Sequence, residues 1–122
     1  MKSKRVLIVA TLPDWHDIWF RKLGKNAGLD GPLALVSAVS AREARDLVVD
    51  DPRFDACVVA ACSDDPLTNR SLVPLVRVLA DNSMTLIAAG EKDERQQLVR
   101  AGCRHEATMA ALPTKLLEVL GV

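Results

Sequence analysis

Short apolar runs alternate along this chain with segments whose apolar residues recur every three or four positions. The runs Val6-Leu7-Ile8-Val9-Ala10, Leu33-Ala34-Leu35-Val36, Ala56-Cys57-Val58-Val59-Ala60-Ala61 and Thr85-Leu86-Ile87-Ala88-Ala89 predict strands, and residues 105–108 predict a weaker fifth. These runs are continuous rather than alternating, as strands covered by helices on both faces should be.

The intervening segments predict amphipathic helices. The first covers residues 14–26, with Trp15, Trp19, Leu23 and Ala27 along one side. The second opens at Ser40-Ala41-Arg42-Glu43, a capping box, and closes at Asp50-Asp51-Pro52. The third covers residues 67–81, and Pro74 should kink it or delay its start, because proline has no amide proton to give. The fourth starts near Glu91 and ends at Ala101-Gly102, where glycine suits the position after a helix. The fifth covers residues 112–120.

Strand and helix therefore alternate five times. That rhythm implies an α/β domain with a parallel sheet and right-handed crossovers. No linker or low-complexity tract divides the chain, so residues 1–122 read as one domain. Any ligand site belongs at the carboxyl ends of the strands. Those ends are Ala10-Thr11-Leu12, Ala60-Ala61-Cys62, Ala88-Ala89-Gly90 and Thr108-Met109.

Charge narrows the partners. Lys+Arg and Asp+Glu are both 16, giving a formal net charge of zero. The bulk positive field of a nucleic-acid or membrane-surface binder is missing, so neither partner is expected. No apolar stretch reaches bilayer length, and the run after Met1–Arg5 is too short for a secretion signal. Cys57, Cys62 and Cys103 have neither zinc-site nor CxxC spacing and read as reduced thiols, with Cys57 and Cys103 buried. These features suggest a cytoplasmic protein.

The residues also resemble a family. Lys4-Arg5-Val6-Leu7-Ile8-Val9 is followed by Pro13-Asp14-Trp15 opening a helix that closes at Ala27-Gly28. Then come Ser40-Ala41-Arg42-Glu43-Ala44, Asp51-Pro52-Arg53-Phe54-Asp55 leading into the third strand, and Leu98-Val99-Arg100-Ala101-Gly102-Cys103 before the fifth. In this order and spacing the chain resembles the receiver domain of bacterial response regulators, the phosphoacceptor module of two-component phosphorelays. The resemblance spans nearly the whole chain. It implies a flavodoxin-like (βα)5 doubly wound sandwich, with a five-stranded parallel sheet in the order 2-1-3-4-5.

The resemblance also assigns positions to the chemistry. The two acids that hold Mg²⁺ in receivers fall on Ala10 and Thr11. The phosphoacceptor Asp falls on Ala60, the hydroxyl that senses the phosphoryl group on Ala88, and the neutralising Lys on Met109. The aromatic switch position falls near Glu106. A receiver needs a carboxylate nucleophile, a metal and a cation, and these positions supply none of them. The expectation is a pseudo-receiver with no cofactor, no metal and no enzymatic activity. It would bind a signalling or scaffold protein without phosphoryl control.

Other residues carry competing readings. Asp64 and Asp65 follow the third strand and read as capping acids ahead of the third helix; the rival reading makes one a displaced phosphoacceptor. Asp14-Trp15-His16 is similar to the Asp-x-His-x-x-Gly signature of cobalamin-binding domains, but Trp19 occupies the glycine position. The plainer reading is a helix start with His16 on the surface. Cys62 has acids rather than cations nearby and reads as a plain thiol. Trp19, Phe20 and Leu23 should fill the core, with Trp15 partly covered and a candidate partner contact. Lys92, Arg95, Arg100, Arg104, His105 and Glu106 form the candidate protein-docking face, on the fourth-helix to fifth-helix side that receivers use for docking. The same face is the candidate for a homodimer.

Overall fold

A computed structural model describes residues 4–27, 31–61, 66–82 and 84–122, with side chains at all of these except 66–69. Five strands alternate with five α-helices. The strands are β1 (Lys4–Ala10), β2 (Leu33–Ala38), β3 (Ala56–Ala61), β4 (Thr85–Gly90) and β5 (His105–Ala107). The helices are α1 (Pro13–Leu23), α2 (Ala41–Asp50), α3 (Pro66–Leu79), α4 (Lys92–Ala101) and α5 (Leu112–Leu120). Every strand pairing is parallel, and the order is β2-β1-β3-β4-β5, as expected. The architecture is a flavodoxin-like doubly wound sandwich.

The continuous apolar runs follow from two cores, one on each face of the sheet. Leu7, Val9, Cys57, Val59, Leu86 and Ala88 pack with Ala44 of α2, Leu72 and Leu75 of α3 and Leu98 of α4. Val6, Ile8, Ala10, Val58, Ala60, Ile87 and Ala89 pack with Trp19 and Leu23 of α1 and Leu112 and Leu116 of α5. Successive residues of one strand point to opposite faces, so a strand covered twice must be apolar throughout. All six residues of β3 are buried.

Some boundaries differ from the sequence expectation. β1 begins at Lys4 and β2 continues through Ser37 to Ala38, because the ladder pairs Lys4 with Leu33 and Val9 with Ala38 through the backbone whatever the side chains are. α1 ends at Leu23, where Gly24 takes φ +56 and starts a 3₁₀ turn, Gly24–Asn26. Pro74 does not delay α3, which starts at Pro66 and contains Pro74 on an exposed turn. There the missing amide bond to the Arg70 carbonyl leaves that oxygen open to water. Ser40 caps α2 as expected, its Oγ accepting the Glu43 amide at 3.1 Å. Gly102 ends α4 at φ +146, where a Cβ would come within 3.0 Å of Ala80.

Phe20 is a correction. It is 49% exposed, whereas Trp19 and Leu23 are buried and Trp15 is half-buried. A helix turns about 100° per residue, so a helix that buries Trp19 and Leu23 swings Phe20 toward solvent.

The amino ends of the strands are tied by the Asp51-Pro52-Arg53-Phe54-Asp55 segment. Arg5 Nη1 donates to Asp51 Oδ2 at 2.7 Å, Arg53 Nε donates to Asp51 Oδ1 at 3.0 Å, and the Arg5 amide donates to Asp55 Oδ2 at 2.8 Å. The Arg5 guanidinium also lies 4.4 Å from the Phe54 ring centroid. Hydrogen bonds from the Arg53 side chain and amide hold the Asp51 carboxyl at about 2, well below its ordinary 3.8.

Candidate functional site

The carboxyl edge of the sheet is built from alanine. Ala10 of β1 is level with Ala60 of β3, Ala60 with Ala89 of β4, and Ala89 with Ala107 of β5. All four are buried in the core shared with α1 and α5. One row of methyl groups therefore crosses four adjacent strands where the sequence placed the chemistry.

The register bears on one assignment. Ala88 is level with Val59, not Ala60, and packs on the opposite face with α2, α3 and α4. The residue that shares a level and a face with Ala60 is Ala89, which the sequence reading missed along with Ala107. Two adjacent alanines look alike in sequence, and only strand pairing tells them apart.

Two side chains of α1 close this edge. His16 Nε2 lies 2.9 Å from the Ala10 carbonyl oxygen, and Trp19 Nε1 donates to the Met109 carbonyl at 2.8 Å. A carbonyl only accepts, so the proton sits on Nε2 of His16. Nδ1 of the same ring is buried without a hydrogen-bond partner among the described residues. His16 is thus half-buried against β1 rather than on the surface, which does not favour its reading as a cobalt ligand. Trp15 and Trp19 lie with ring centroids 5.6 Å apart, and Trp15 and Met109 pack partly buried against the alanine core. At the far side of the edge, Gly90 takes φ +144 and a Cβ there would stand 2.7 Å from the Ala61 carbonyl oxygen. β3 and β4 therefore meet too closely for a side chain.

A receiver-type Mg²⁺ does not fit these residues. It wants oxygen ligands, including carboxylates, in octahedral geometry. Among the described residues this edge presents four methyl groups, a thioether, the Thr11 hydroxyl and carbonyls, two of which are already hydrogen-bonded. No group of three or more His, Cys, Asp or Glu gathers among the described residues. Asp64, Asp65 and Cys62 lie outside the described residues.

The candidate docking residues do not form one patch. Arg95 Nε and Glu106 Oε1 meet at 3.8 Å, beyond hydrogen-bond distance. Glu106 is level with Ala88, and His105 with Ile87, so the two point to opposite faces of β5. Arg100 lies five residues after Arg95 and projects about 140° away around the helix. Arg104 lines a cleft at the amino end of β4 with Asn82, Met84 and Thr85.

No family model matches the chain, and no curated protein matches its sequence. Solved structures do match in shape. A two-component response regulator of the LuxR family from Aurantimonas sp. SI85-9A1 superposes with a TM-score of 0.72 at 17% identity, over 98% of this chain and 84% of that one. The chain has the receiver fold. CheY6 of R. sphaeroides, solved with the P1 domain of CheA3, gives a match with a TM-score of 0.74 at 10% identity over 100% of both chains. A response regulator from Burkholderia pseudomallei, solved with a phosphorylated aspartic acid, calcium ion and citrate, gives 0.72 at 17% identity, over 94% of this chain and 65% of that one. At such identities the likeness is one of fold, and function must come from the site. Among the described residues no helix is long and apolar enough to cross a membrane.

Proposed function

We propose that residues 1–122 form a single pseudo-receiver domain, a cytoplasmic signalling or scaffold module that binds another protein without phosphoryl control. The buried row Ala10, Ala60, Ala89 and Ala107 carries this reading. Phosphoryl transfer to a carboxylate needs a nucleophile, a metal to offset charge and a cation that stabilises the product. Methyl groups supply none of these, and His16 and Trp19 occupy two of the carbonyls that could have helped. The domain keeps the framework and has lost the chemistry. What remains to act is its surface, as in the CheY6 complex, where the partner is the P1 domain of CheA3. A homodimer would use the corner where Arg95 of α4 meets Glu106 of β5.

Incubation with a small phosphodonor and Mg²⁺, followed by intact-mass measurement, tests this reading. The expected result is no phosphoprotein. A product that disappears in Asp64→Asn or Asp65→Asn would instead make the domain a regulator with a displaced acceptor.

A further inference from the structure

Exposed arginines project from the face covered by α2 and α3. A groove between these helices is lined by Ala41, Arg42, Arg45, Asp46, Ser71 and Pro74. Arg70 and Arg77 are seven residues apart on α3, hence within about 20° of each other around the helix. Both project opposite the buried Leu72, Leu75 and Leu79. Arg42, Arg45, Arg70 and Arg77 are exposed, and none of them forms an ion pair among the described residues. The acids Glu43 and Asp50 lie on the opposite flank of α2 from Arg45, leaving Asp46 as the acid that lines the groove. Two apolar side chains of the same helices are also exposed: Val49 is 81% exposed and Val78 44%.

We propose that the α2–α3 groove docks an acidic amphipathic segment of a partner protein. Carboxylates on that segment pair with Arg42 and Arg45 in the groove and with Arg70 and Arg77 on the exposed face of α3 beside it, and its apolar side chains cover Val49 and Val78. The guanidinium fork matches a carboxylate with two parallel hydrogen bonds, which favours this chemistry over a neutral partner. A second copy of this chain is disfavoured, because a two-fold contact would set arginines against arginines. Nucleic acid is disfavoured by the zero net charge, by Asp46 in the groove and by the exposed valines. The inference rests on the protein-binding reading above and gives that reading a surface and a partner chemistry.

The test is amide NMR of the protein at low salt, titrated with a synthetic helix carrying Leu and Glu at helical spacing. The expected shifts cluster on α2 and α3 and fade with added salt. Arg45→Glu with Arg77→Glu, both at exposed positions, should weaken the peptide by about tenfold or more while leaving thermal unfolding unchanged. Absent shifts, shifts centred elsewhere, or equal binding of the same peptide with Lys for Glu would overturn the proposal. So would tighter binding of a DNA duplex. Repeating the titration with Mg²⁺ and beryllofluoride separates the two readings. Binding at the groove only after that addition would keep the groove and overturn phosphoryl independence.

Discussion

Trp19 reaches across the edge of the sheet, with its ring in the α1–α5 core and its N–H on the Met109 carbonyl. Trp19→Ala should cost about 3–5 kcal/mol, from lost burial and the cavity left behind. Phe20→Ala, at a half-exposed neighbour, should stay within about 0.5 kcal/mol of the parent. Urea unfolding of the two variants checks the contrast. Sequence placed both aromatics in the core because both are large and adjacent; the helix can bury only one of them. The thiols were read better. Cys57 and Cys103 are buried, and burial pushes both up, Cys103 to about 12. Both should resist iodoacetamide at neutral pH in the native protein, as peptide mapping would show. Because the unfolded thiols ionise near 9.0, their contribution to stability should fall as pH rises above that value. Asp51 works in the other direction. Its lowered value, about 2 against 3.8, favours the folded state fully above pH 3.8 and loses that effect as pH falls toward 2. Asp51→Asn should flatten the acid limb of a stability–pH curve between those values.

The elements were legible where local chemistry marks them. Continuous apolar runs announced the strands, Ser40-x-x-Glu43 the start of α2, and Gly102 the end of α4. Ser40→Ala should cost about 1 kcal/mol in thermal unfolding, since the Glu43 amide loses its cap. Pro74 was legible as a defect but not in its outcome. The exposed turn lets water serve the Arg70 carbonyl, so α3 runs through it. Restoring the amide in Pro74→Ala should raise stability by about 2 kcal/mol, the helix gain of about 3 less about 1 for a freer unfolded chain. The docking residues on α4 and β5 were grouped by closeness in sequence. Strand alternation and helical turn then spread several of them apart, with Arg95 and Glu106 brought together.

At the scale of the whole molecule, strand order and the site depend on pairing between distant segments, which sequence shows only indirectly. The order β2-β1-β3-β4-β5 came through resemblance in motif spacing, not through any one strand. That Ala89 rather than Ala88 is level with Ala60 follows from the register alone. The same register makes Ala60→Asp a sharp probe. A lone carboxylate among buried methyl groups, with Ala10 and Ala89 beside it, should destabilise the fold and still give no phosphoprotein with a small phosphodonor. Efficient phosphorylation of that variant would mean that the edge binds Mg²⁺ after all. Amide NMR spectra recorded before and after Mg²⁺ and beryllofluoride, the phosphoryl mimic, report on the alanine edge directly. A pseudo-receiver predicts two superimposable spectra. Shifts clustered on residues 60–65 and spreading into β4 and β5 would contradict it, and would make the domain a phosphoryl-driven switch.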